Sequence, residues 1–118
     1  KPHFGMGAYW RNQHENIVFA SVGMPTPMLD RGMGSVLESP SAGNNGDERF
    51  HPTEKPLDLV TKITRAVPGQ IILDPFAGSG TTGVACKNLG RNFILIEKEP
   101  KYVEIINQRL KSVQDRLL

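Results

Sequence analysis

An apolar strand, an acid, a glycine turn and the start of a helix follow one another in Ile71-Ile72-Leu73-Asp74-Pro75-Phe76-Ala77-Gly78-Ser79-Gly80-Thr81-Thr82-Gly83. No other stretch constrains the fold as strongly. In open parallel sheets, ligands bind beyond the carboxyl ends of the strands, where such turns lie. Glycines in the turn allow positive φ and let backbone approach a ligand closely. Downstream, Phe93-Ile94-Leu95-Ile96 reads as a second apolar strand, ending at Glu97-Lys98. Thr81 to Leu89 between them reads as a helix closed by Gly90. Strands that are apolar throughout, alternating with helices, predict an α/β fold with a parallel sheet covered on both faces.

Two further helices complete the patterned region, residues 51–118. Thr53 fits an N-cap and Pro56 a first helical turn, where its missing N–H costs nothing. Leu57, Val60, Ile63 and Val67 follow at helical spacing until Pro68-Gly69 stops the helix. Pro100 opens the last helix, whose apolar stripe is Val103, Ile106, Leu110, Val113 and Leu117. Residues 1–23 hold one more predicted buried strand, in Asn16-Ile17-Val18-Phe19-Ala20-Ser21-Val22. Residues 24–50 are rich in Pro and Gly without periodicity and are expected to be a flexible loop.

Composition removes several function classes. With 38% hydrophobic and 22% charged residues among 118, the chain is expected to be one soluble globular domain. No apolar run approaches the roughly 20 residues that span a bilayer, so no membrane partner is expected. Cys86 is the single cysteine, which excludes an intrachain disulfide and fits the cytoplasm. It reads as a small buried hydrophobe. The three histidines are too dispersed for a metal site. A net charge of +2 with scattered Lys and Arg leaves partners undecided. The N-terminal Lys1-Pro2-His3-Phe4 reads as the start of a fragment.

Three ligands compete for the glycine turn. Gly78, Gly80 and Gly83 match the dinucleotide fingerprint, and Glu97 lies 19 residues after Gly78, near the place of a ribose-binding acid. Against that reading, Asp74-Pro75-Phe76-Ala77 separate strand from glycines, and a carboxylate at the strand end repels a diphosphate. A P-loop needs a Lys directly after its last glycine, which this turn lacks. A cationic cofactor without phosphate, S-adenosylmethionine, suits the charges better. Its sulfonium and ammonium favour Asp74, and Glu97 offers two oxygens to the ribose hydroxyls. The small residues from Ala77 to Thr82 leave room for the methionine arm and present backbone N–H groups to its carboxylate.

Asp74-Pro75-Phe76-Ala77-Gly78-Ser79-Gly80-Thr81-Thr82 resembles the cofactor motif of amino-methyltransferases that modify adenine N6 or cytosine N4 in DNA. His51-Pro52-Thr53-Glu54-Lys55-Pro56 resembles the segment that precedes this motif in the circularly permuted, beta-class arrangement and lines the methionine end of the cofactor. Phe93 to Glu97, followed by Tyr102 to Leu110, resembles the ribose-binding strand and its helix. Gly5 to Gly23 resembles the piece before the target-recognition insert, whose place residues 24–50 take. The resemblance implies a partial methyltransferase (Rossmann-like) fold, a mostly parallel sheet with flanking helices. It implies a cofactor site of Asp74, Pro75, Phe76, Ala77, Gly78, Ser79, Gly80, Thr81, Thr82, Glu97, Lys98, His51 and Lys55, with DNA as partner of the complete enzyme.

The family's catalytic signature, Asp or Asn before Pro-Pro and an aromatic residue, holds and stacks a flipped-out base. No Pro-Pro pair occurs in this sequence. The permuted order puts that signature N-terminal to the segments present, so the chain alone is expected to be inactive, completed by a missing N-terminal segment or an oligomeric partner. A non-catalytic cofactor- or partner-binding module is the alternative. The insert position carries a net charge of −2, poor material for a phosphate clamp.

Simpler roles compete at single residues. Asp74 also fits a helix cap, Glu97 a solvated strand end paired with Lys98, and His51 a loop histidine. Lys55 near a helix start opposes the helix dipole. Tyr9 and Trp10 read as packing residues, and His14-Glu15 as a strand-start hydrogen bond.

Overall fold

The computed structural model describes residues 14–39 and 54–117, with the backbone alone for 114–117. Its elements are α1 (Leu57–Ala66), β1 (Ile71–Asp74), α2 (Thr81–Asn88), β2 (Asn92–Leu95) and α3 (Pro100–Leu117). β1 and β2 pair in parallel, from Ile71 opposite Asn92 to Asp74 opposite Leu95. Parallel neighbours require a crossover, and α2 provides it. The pairing continues one residue past β2, where the Ile96 N–H donates to the Asp74 carbonyl at 2.9 Å.

Pro56 stands at the cap position of α1, just outside the first turn, with φ −57° and ψ 130°. Its carbonyl accepts the Val60 N–H at 3.1 Å. The predicted cap Thr53 lies outside the described residues, as do His51, Tyr9 and Trp10. Thr64 and Ala66 are buried on α1, while Leu57, first of the predicted stripe, stays exposed. The helix stops as expected, because the residue before a proline is pushed to extended backbone. Val67 has φ −76° and ψ 138°. The Arg91 guanidinium closes this end by donating to the carbonyls of Thr64, Val67 (2.8 Å) and Gly69.

α2 is the central helix, packed by α1, α3 and β2. Val84, Ala85 and Cys86 on it join Ala66, Ile106 and Val113 in the core. Two close approaches fix its position. A Cβ on Gly83 would stand 2.6 Å from Leu95 Cδ1, and one on Gly80 2.8 Å from Ile106 Cγ1. Neither site has room for a side chain.

The sheet differs from expectation. Burial alternates along both strands. Ile72, Phe93 and Leu95 are half-buried, whereas Ile71, Leu73, Ile94 and Ile96 are 51–58% exposed. Alternate residues of a strand point to opposite faces, and the described helices gather around α2 on one of them. The other face is bare among the described residues. Nor does Asn16–Val22 form a strand: Ile17, Val18, Phe19 and Val22 are exposed, and β1 and β2 pair only with each other. A run of β-forming residues still needs a neighbour to pair with.

Residues 14–39 instead run as irregular backbone beside α1. The Leu29 N–H donates to the Ala66 carbonyl at 2.7 Å and the Ser39 hydroxyl to Asp58 Oδ1 at 2.5 Å. The predicted loop is therefore irregular over its described part, 24–39. No helix among the described residues is long and apolar enough to cross a membrane.

Candidate functional site

The turn between β1 and α2 is built by two carboxylates. Asp74 Oδ1 accepts the Phe76 N–H at 3.0 Å, and Oδ2 accepts the Thr82 hydroxyl at 2.6 Å. Asp74 thus folds the turn back on the strand it ends. It caps no backbone N–H of α2, whose cap position is Gly80 with φ 81° and no side-chain cap bond. Glu97, at the end of the neighbouring strand, accepts the Gly78 N–H on Oε2 at 2.8 Å and the Glu99 N–H on Oε1 at 2.9 Å. It is half-buried, not a solvated strand end. Two backbone bonds complete the turn, Gly80 N–H to the Ala77 carbonyl at 2.8 Å and Ala77 N–H to the Ile96 carbonyl at 2.9 Å. Gly78 (φ 53°) and Gly80 take the left-handed conformation that favours glycine.

The turn opens onto a cavity of about 400 Å³, within the range of small-molecule sites. Asp74, Phe76, Ala77, Gly78, Ser79, Thr81, Thr82, Glu97 and Lys55 line it, all expected from the sequence. Three expected residues stand apart from the lining: Pro75, Gly80, which is buried beneath the turn, and Lys98, which is exposed. Phe76 is 89% exposed, an aromatic ring with almost no protein packed on it. Lys55 forms an ion pair of 2.7 Å with Glu15. Burial pushes the Cys86 thiol above its ordinary pKa, against the pull of Arg91, so its neutral form is favoured. No cluster of His, Cys, Asp and Glu among the described residues could hold a metal ion.

Two contributors, Val60 and Arg109, escaped the sequence reading; Glu54 lay in the segment expected beside the methionine end, without a role of its own. Val60 and Glu54 line the cavity. Arg109 on α3 pairs with Glu54 Oε1 at 3.0 Å and donates to the Ser79 carbonyl at 2.7 Å and its hydroxyl at 3.0 Å. A signal for Arg109 existed. It lies three residues after Ile106 and four before Val113, inside the apolar stripe of α3, where a charge needs a partner.

Three carboxylates, Asp74, Glu97 and Glu54, and one ammonium, Lys55, line the cavity, with Glu54 matched by Arg109 and Lys55 by Glu15. Such a rim favours a cationic ligand and opposes a diphosphate. A carboxylate offers about four acceptor positions, and Asp74 uses two of them on the turn.

A family model described as DNA methylase (N6_N4_Mtase) matches residues 8–108. The chain is 42% identical over 69 residues to Type II methyltransferase M.HinfI of Haemophilus influenzae, covering 57% of this chain and 19% of that protein. It is 52% identical over 64 residues to Type II methyltransferase M2.DpnII of Streptococcus pneumoniae, covering 52% and 24%. The crystal structure of an M1.HpyAVI–SAM complex superposes with a TM-score of 0.51 at 52% identity, over 53% of this chain and 32% of that one. The chain thus spans between a fifth and a third of these relatives' lengths, and its two-stranded parallel sheet with flanking helices is a partial Rossmann-like fold. With most of its length matched by the family model, this chain belongs to the DNA methylase family.

Proposed function

We propose that this chain is the S-adenosylmethionine-binding portion of a DNA amino-methyltransferase that acts on adenine N6 or cytosine N4. The observation that carries the reading is the glycine turn held between Asp74 and Glu97, opening on a cavity with an acidic rim. A sulfonium and an ammonium suit this rim. Asp74 faces the cationic methionine end and Glu97 accepts the ribose hydroxyls. The exposed Phe76 ring offers an apolar surface to the adenine. Ser79, Thr81 and Thr82 keep the wall small and polar beside the methionine carboxylate. When bound, the cofactor supplies the methyl group for an exocyclic amine. The residues of this chain orient it and screen its charge.

No Pro-Pro-aromatic signature occurs in the sequence, which supports a division of labour. This chain holds the cofactor, and the base-holding group comes from another segment or chain. DNA is the partner of the assembled enzyme. Methyl transfer to DNA by the 118-residue chain alone would refute that division.

Titration calorimetry with S-adenosylmethionine tests the site. Asp74→Asn removes the charge yet keeps an acceptor for the Phe76 N–H, so the turn persists. The expected loss is tenfold or more in affinity, about 1.4 kcal/mol. Unchanged affinity removes Asp74 from the site. NADH is expected not to bind, because a diphosphate meets the same carboxylates.

A further inference from the structure

We propose that Arg109 is a positioning residue of the cofactor site, fastening the glycine turn and Glu54 to α3; the proposal rests on the S-adenosylmethionine reading above. Its guanidinium joins three parts of the chain that are far apart in sequence. One nitrogen donates to both the carbonyl and the hydroxyl of Ser79, and a second pairs with Glu54 at 3.0 Å. The Glu54 and Arg109 side chains are only 11% and 15% exposed, so neither charge is dissolved in water. Such a pair contributes little net stability against an apolar replacement of similar volume, and its use is more often geometric.

The geometry here is specific. Ser79 lies between Gly78 and Gly80, both in the left-handed conformation, and Gly80 has the Ile106 side chain pressed against it. Ile106 and Arg109 are one helical turn apart, so α3 holds the turn through an apolar contact and a polar one together. Glu54, which lines the cavity and accepts the Thr81 hydroxyl at 3.5 Å, is held by the same guanidinium. Arg109 thereby ties Glu54 to the glycine turn without lining the cavity itself. A planar, forked donor suits this task, and a lysine, with its single charged nitrogen, does not reproduce it.

The test uses the full chain and four variants: Arg109→Met, Arg109→Lys, Glu54→Gln and the double Arg109→Met/Glu54→Met. The double variant leaves neither member of the pair unmatched, though the Ser79 carbonyl loses its donor, so it is expected to lose less melting temperature than Arg109→Met. Two quantities are read, the affinity for S-adenosylmethionine and amide hydrogen exchange residue by residue. The expected result is affinity weaker by tenfold or more in Arg109→Met, where Glu54 stays in the lining, and faster exchange at the Gly78 and Gly80 amides in both Arg109→Met and the double variant, with Cys86 in α2 unchanged. Arg109→Lys is expected to recover part of the affinity lost in Arg109→Met, through its charge on Glu54. Wild-type affinity and exchange in Arg109→Met overturn the proposal. So does exchange that accelerates equally at Gly80 and Cys86, which marks a general loss of stability. If the unaltered chain binds no S-adenosylmethionine, the cofactor reading fails. Exchange confined to the turn then still supports the hold of Arg109 on it, and uniform exchange overturns it.

Discussion

Gly83 shows how one residue can satisfy a motif for a reason unrelated to the motif's usual ligand. It completes a G-x-G-x-x-G spacing with Gly78 and Gly80. In the structure it lies inside α2, where the Leu95 side chain occupies the place a Cβ would take. The third glycine of a dinucleotide fingerprint serves the same close approach of helix to strand. The spacing therefore reported packing, and the carboxylates at Asp74 and Glu97 carried the information about charge. Gly83→Ala gains helix propensity of up to about 1 kcal/mol. Overpacking against Leu95 costs about 1–3 kcal/mol. The expected net is a loss of roughly 1 kcal/mol, read from the urea midpoint with an unchanged slope. In a Leu95→Ala background the same substitution is expected to become neutral or stabilising, because the obstructing atoms are gone. A loss of equal size in both backgrounds would place the conflict elsewhere.

Among the elements, α1 depends most on a residue that sequence patterning could not identify. Its stop was readable from Pro68-Gly69, and β1 was readable to the residue. What satisfies its last carbonyls was not. Arg91 follows Gly90 with no periodicity around it, and its targets lie 22 to 27 residues upstream. Local sequence encodes propensity and stops, whereas a long-range cap exists only once two elements are packed. Arg91→Met keeps much of the aliphatic stem and deletes the donors. Leaving part-buried carbonyls unpaired costs about 1–3 kcal/mol, so a drop in melting temperature of several degrees is expected for a chain of this size. Arg91→Lys is expected to recover less than half, since one ammonium cannot reach three carbonyls in a fork. Equal melting temperatures for Arg91→Met and the unaltered chain would mean that water satisfies this helix end.

Across the described residues the sheet is covered on one side. α1, α2 and α3 were legible from their stripes and stops, and the parallel strands from their continuous apolar runs, because 3.6-residue and two-residue periods are local properties. Which face of the sheet is covered is a different kind of fact. Ile94 and Leu95 are adjacent and almost alike in chemistry, yet one is half-exposed and the other touches α2. The same limit explains Asn16–Val22, whose residues favour a strand that has no partner among the described residues. Substitution separates the two faces. Ile94→Asn is expected to cost about 1 kcal/mol or less, the span of β-propensity. Leu95→Asn is expected to cost about 2 kcal/mol, the low end for losing a core leucine, because Leu95 is half-buried. Equal costs in urea unfolding would show that the exposed face is covered in solution.

The span between Ser79 and Arg109 also has a meaning in time. During synthesis the glycine turn leaves the ribosome 30 residues before the guanidinium that donates to it. At 5–20 residues per second that interval is roughly 2–6 s. Through it the nascent chain carries β1, the turn and then β2 without the helix that clasps them. On the proposal for Arg109, competence to take up a ligand is acquired only when α3 docks on the turn.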